Sequence, residues 1–121
     1  MVIREKLLLS LFLLLGGITC SFAQVDAEHK KIDYLIAEIA NLHEAKFVRN
    51  GKEYGADEAV DHLRMKLRYA GDRIKTAEQF ITYCATSSST TGQKYLIRFA
   101  DGRTIDAAAF LRERLARYRS S

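Results

Sequence analysis

"KFVRNGKEY", residues 46–54, sits between two segments of helical periodicity and turns a helical chain into a mixed one. Asn-Gly is a preferred centre for a two-residue hairpin turn, because both central residues need positive φ. With Asn50 and Gly51 at that centre, Phe47 faces Tyr54 as an aromatic cross-strand pair. The same register sets Arg49 opposite Lys52. Like charges across a ladder cost up to about 1 kcal/mol, so Arg49 is expected to turn away or to find an acid, with Glu53 and Glu44 the local candidates. Beyond the turn itself, the stretch offers more polarity than a hairpin requires, and Arg49, Asn50, Gly51 and Tyr54 become candidate binding residues.

Upstream, "HKKIDYLIAEIANLH" places Ile32, Leu35, Ile36, Ile39 and Leu42 at the spacing of an amphipathic helix. Extending that helix puts His43 on its apolar side, where a hydrogen-bonded core histidine is the expectation. Downstream, "GADEAVDHLRMKLRYAG" predicts a second helix with Ala56, Ala59, Val60, Leu63, Leu67 and Ala70 on one arc and Gly71 as its stop. His62, Met65 and Tyr69 form a second stripe. Two less polar arcs imply two neighbours, and contact within the domain is the leading expectation for the second, an external partner the other.

Farther on, Thr76 and Gln79 form a capping-box pattern that starts a third helix. Its buried arc gathers Ala77, Phe80, Ile81, Cys84 and Ala85, which makes Cys84 a structural, poorly ionised thiol. "TSSSTTG", residues 86–92, ends that helix as a solvated loop. "QKYLIRFADGRTI" alternates Tyr95, Ile97 and Phe99 against Leu96 and Arg98 with Asp-Gly following, a strong hairpin signal. Asp106 is positioned to cap a last helix carrying Phe110, Leu111, Leu115 and Tyr118, with Arg112, Arg114, Arg117 and Arg119 along its borders. The expected fold class is α+β, mostly helical, with about four helices and one or two short β-hairpins.

The first residues, "MVIREKLLLSLFLLLGGITCSFAQ", have the charged start, short apolar run and small-residue end of a secretory signal. The run is short for a membrane span. Cleavage after Ala23 is expected, leaving one domain over residues 24–121 in the periplasm or secreted, with no stable transmembrane segment; an uncleaved anchor is the alternative. Removal takes Arg4 and Lys6 but only Glu5, lowering the formal net charge of +4 by one. It also removes Cys20, leaving Cys84 of the two cysteines and no internal disulfide. Acidic residues interspersed with the basic ones exclude a nucleic-acid stripe.

"FVRNGKEYGADEAVDHLRMKL", "TAEQFI", "SSSTTGQKYLIR" and "FLRERLARYR" together resemble an uncharacterised family of small exported bacterial proteins of the YfeK type, over nearly the whole mature chain. The resemblance implies no established activity. It places a signature on Phe47, Arg49, Asn50, Gly51 and Tyr54, on Glu58, Ala59, His62 and Leu63, on Glu78 and Phe80, and on Ser88, Gly92 and Tyr95. It also implies a cysteine in similar chains where this one has Ala45, so that Cys84 here lacks that partner.

A binding or protein-interaction module without catalytic activity is the functional expectation, because polar residues lie in turns and helix starts without a grouped acid, base and nucleophile. The candidate binding residues are Arg49, Asn50, Gly51, Tyr54, His62, Met65, Tyr69, Ser88, Gly92 and Tyr95. Its partner would be another envelope protein or an anionic envelope component. The alternative is a small hydrolase or transferase using Cys84 or Ser88 with His62, Glu58 being close enough on the helix to orient the imidazole. Histidine spacing provides no metal set, and no cofactor is expected.

Overall fold

A computed structural model describes residues 22–119. Asn50 and Gly51 both adopt positive φ, 53° and 75°, the conformation of a tight hairpin turn. They join β1 (Lys46–Arg49) to β2 (Lys52–Tyr54) in the register set by the turn, Phe47 opposite Tyr54 and Arg49 opposite Lys52. A second hairpin, β3 (Leu96–Arg98) and β4 (Thr104–Asp106), turns through residues 99–103. Antiparallel pairing of β1 with β3 fuses the two hairpins into one four-stranded sheet, ordered β2-β1-β3-β4.

Period-two alternation divides this sheet into a wet and a dry face. Tyr54, Phe47, Ile97 and Ile105 form one cross-strand row, with Phe47 and Ile97 buried and the other two half-buried. On the opposite face Glu53 pairs with Arg98 across the strands.

Four helices supply the other layer. Helix α1 spans residues 22–40 and buries Ile32, Leu35, Ile36 and Ile39. It starts earlier than the periodicity suggested and ends sooner, so Leu42 and His43 lie beyond it and His43 is exposed rather than in the core. Helix α2 (Ala56–Ala70) ends at Gly71, whose φ of 53° suits a residue without a Cβ. A single 3-10 turn over Gly71–Arg73 follows.

Helix α3 (Ala77–Cys84) begins at the predicted capping box: Gln79 N–H donates to the Thr76 hydroxyl at 3.1 Å, and Thr76 N–H donates to the Gln79 side chain at 3.2 Å. Glu28 of α1 accepts from Ala77 N–H at 3.0 Å, satisfying another free amide of that helix start. The hydrogen bond from Lys31, more than that from Ala77, holds the Glu28 carboxyl below its usual value.

Helix α4 (Ala107–Arg117) directly follows β4. Asp106 occupies its N-cap position but makes no side-chain cap. It is the last residue of β4, and its carboxylate instead meets Lys94 at 3.4 Å. The buried apolar side chains of all four helices and the dry sheet face form one cluster, with Phe80, Leu35, Ile36, Ile39, Ile81, Ile97, Leu111 and Cys84 among its most enclosed members. The predicted leader before residue 22 lies outside the described residues. Among the described residues no helix is long and apolar enough to cross a membrane.

Candidate functional site

The dry face of the sheet becomes polar at the Asn50 end. Arg49 stands two residues beyond Phe47 on the same side of β1, and Tyr95 two before Ile97 on β3, so alternation turns both toward α2. There they meet His62. The Arg49 guanidinium, which has only donors, approaches His62 Nδ1 at 3.0 Å through Nη1. Nδ1 must therefore accept, leaving the imidazole proton on Nε2 to be donated to the Tyr95 hydroxyl at 3.1 Å. Lys66 Nζ donates to the same hydroxyl at 3.1 Å and to the Ser87 carbonyl at 3.2 Å. Burial above all, then the neighbouring Arg49 and Lys66 charges, lowers the His62 pKa below its ordinary value. A neutral imidazole is what this bonding pattern requires.

Arg49 also lies over the Tyr54 ring, 5.3 Å from its centroid, and its Nη2 donates to the Tyr54 hydroxyl at 3.4 Å. That is how it turns away from Lys52: neither Glu53 nor Glu44 balances it, and Glu53 pairs with Arg98.

The turn residue next to Arg49 has a second task. Asn50 Nδ2 donates to Ser88 Oγ at 3.2 Å, and its side-chain oxygen accepts from the Thr91 hydroxyl. Ser88 Oγ also meets the Thr90 hydroxyl at 3.0 Å and accepts from Thr90 N–H. The Ser/Thr stretch is thus folded onto the hairpin, with Gly92 at positive φ, 74°, where it turns back. Ser88 is only 6% exposed, so it is a buried clamp rather than part of a solvated loop.

Between α2, α3 and this clamped loop runs a half-open groove of about 940 Å³. Its basic side chains are Arg49, Lys66 and Arg73, with neutral His62 beside them, and no carboxylate lines it. Arg73 donates to the Ala70 and Tyr69 carbonyls at the end of α2. Among the described residues, neither Arg49 nor Lys66 has an acidic partner within 4.0 Å, whereas seven ion pairs form elsewhere. The rim carries Met65, Tyr69 and Tyr83, which are 38%, 80% and 60% exposed. Of the second stripe of α2, Met65 and Tyr69 therefore face solvent in the groove, contrary to the expected internal contact, while His62 makes that contact with Arg49 and Tyr95.

Beneath the groove lies a smaller apolar pocket of about 150 Å³, lined by Ile39, Phe47, Leu63, Ala85 and Leu111. Arg49, His62 and Tyr95 line both spaces.

A model described as a family of unknown function, DUF5329, matches residues 26–119. The chain belongs to DUF5329. It is similar to the uncharacterized protein YfeK of Salmonella typhimurium (strain LT2), at 45% identity over 76 residues; that stretch covers 62% of this chain and 63% of the relative. The chain thus matches under two thirds of that protein's length. No solved structure is a significant match.

In this DUF5329 chain the fold draws most of the sequence-predicted residues together: Arg49, Asn50, His62, Met65, Tyr69, Ser88 and Tyr95 all line the groove. Tyr54 lines the apolar pocket, while Gly51 and Gly92 contribute turns. The nucleophile candidates stand apart from the imidazole. Cys84 is 1% exposed and burial raises its thiol pKa; Ser88 bonds to Asn50 and Thr90, not to His62. Glu58 is exposed and makes no hydrogen bond to His62, whose ring nitrogens meet Arg49 and Tyr95. Among the described residues no three His, Cys, Asp or Glu side chains converge on a metal site.

Sequence reasoning missed Lys66, Arg73 and Tyr83. Lys66 had a signal: four residues after His62, it occupies the same helical face. Tyr83 had none, since only packing of α3 beside α2 brings it to the rim.

Proposed function

We propose that this DUF5329 protein is an exported binding module of the periplasm, and that its groove holds an anionic envelope component without transforming it. The observation carrying this reading is the group of unneutralised donors. Tyr95 accepts from both His62 and Lys66, so its own O–H is free to point at a ligand. Arg49 and Lys66 likewise keep N–H groups beyond those used internally. Such an array favours an acceptor bearing negative charge. Export rests on the leader sequence, and the non-catalytic reading on the separation of His62 from Ser88 and Cys84.

Titration of the mature protein with inorganic phosphate, followed by NMR, tests the groove. Saturable shifts are expected at Arg49, Lys66 and Tyr95, and Lys66→Met should weaken them about tenfold or more by removing a charged donor while keeping the stem. Shifts scattered over the surface and indifferent to Lys66→Met would overturn the assignment. N-terminal sequencing of protein from the envelope fraction should read from Gln24; an intact leader would remove the exported, soluble part of the proposal.

A further inference from the structure

Resting on that anionic groove, we infer that its ligand is an acidic saccharide. At about 940 Å³ the groove exceeds what one inorganic anion fills, given roughly 30 Å³ for each water displaced. A ligand of several units fits it.

The walls describe the chemistry of those units. Tyr69 on α2 and Tyr83 on α3 are exposed aromatic rings lining one groove. An exposed tyrosine offers a flat apolar face and a polar tip, which matches a pyranose ring with its C–H face and hydroxyl edge. The turn and loop add the exposed Asn50, Ser89 and Thr90 to the lining, side chains that both donate and accept and so suit a ligand bearing hydroxyls that do the same. Arg49 and Lys66, with no carboxylate nearby, select a negatively charged sugar over a neutral one.

A single-stranded nucleic acid also uses stacking and positive charge, but its groove tracks a continuous line of phosphates. Here the groove lining holds only three cations, Arg49, Lys66 and Arg73, and the loop contributes hydroxyls. The observations favour the saccharide.

Isothermal titration of the mature chain with tetragalacturonate, maltotetraose, inorganic phosphate and a short oligothymidylate decides the matter. Tetragalacturonate should bind about tenfold or more tighter than either maltotetraose or phosphate. Tyr69→Ala should weaken tetragalacturonate about two- to tenfold while leaving phosphate binding and the unfolding midpoint unchanged, because the ring is exposed. Arg103→Ala, outside the groove, should change neither. Tetragalacturonate no tighter than phosphate, or a silent Tyr69→Ala, would sink the saccharide inference and leave the anionic groove standing. Absence of binding to both would sink the two together, and tighter oligothymidylate would replace the sugar by a nucleic acid.

Discussion

The two hairpins of the sheet are built alike and placed differently. In the β3–β4 hairpin the turn is self-contained: Asp101 accepts from Arg103 N–H at 2.9 Å and pairs with its side chain at 2.8 Å. Charges around it and along α4 find partners, as in Arg112–Glu78 at 2.7 Å and Arg117–Glu113 at 2.5 Å. In the β1–β2 hairpin the turn residue reaches across to a distant loop, and the adjacent Arg49 meets only a neutral histidine and a tyrosine. One hairpin neutralises itself locally; the other keeps its cation available and spends its hydrogen bonds on shaping a wall. Positive charge alone therefore does not mark the site in this chain. Unpaired positive charge gathered in a groove that no carboxylate lines does.

The largest effect expected tests whether the two hairpins share a foundation. Phe80 is fully buried in the common core, and Phe80→Ala should cost about 3–5 kcal/mol of unfolding free energy. Urea denaturation should show both ends lost in one transition; separate transitions would mean that the hairpins belong to independent units.

A smaller effect separates the turns. Asn50→Ala removes the Ser88 clamp and puts alanine at positive φ, and should cost about 1–3 kcal/mol. Asp101→Ala, on an exposed local contact, should move the unfolding midpoint much less than Asn50→Ala does. Equal losses would erase the distinction drawn between them.

The mildest test is pH. His62 has a folded-state pKa below its unfolded value, so the unfolded chain binds more protons as pH falls through about 6.5 and stability declines. Stability is fully present above that value, and His62→Gln should flatten the pH 5–7 portion of the curve. A slope unchanged by His62→Gln would show that neither burial nor the Arg49 and Lys66 charges bear on the imidazole.

Local signals made much of this legible. Asn50-Gly51 dictated both turn and register, since the backbone demand and the residue types coincide. Thr76 and Gln79 fixed the start of α3, and the spacing of Ile32, Leu35, Ile36 and Ile39 fixed the buried face of α1. Long-range relations left no comparable trace. Nothing near Val48 or Leu96 announces that β1 pairs with β3, and nothing in "TSSSTTG" announces that Ser88 will be buried by Asn50. Asp106 looked like a helix cap because aspartate favours that position, but its side chain lies by Lys94 instead. At the site, turn and helix-face residues were recognisable one by one; their convergence on a single groove, and the place of Lys66 in its lining, depended on tertiary packing.

The sheet's outermost strands, β2 and β4, are each three residues long. Another molecule attempting to add a fifth strand would find few backbone groups to pair with, and Lys52 and Glu53 on β2 would have to surrender solvent contact. Short, charged borders of this kind discourage cross-β stacking. The protein thereby keeps an open sheet whose edges disfavour polymerisation.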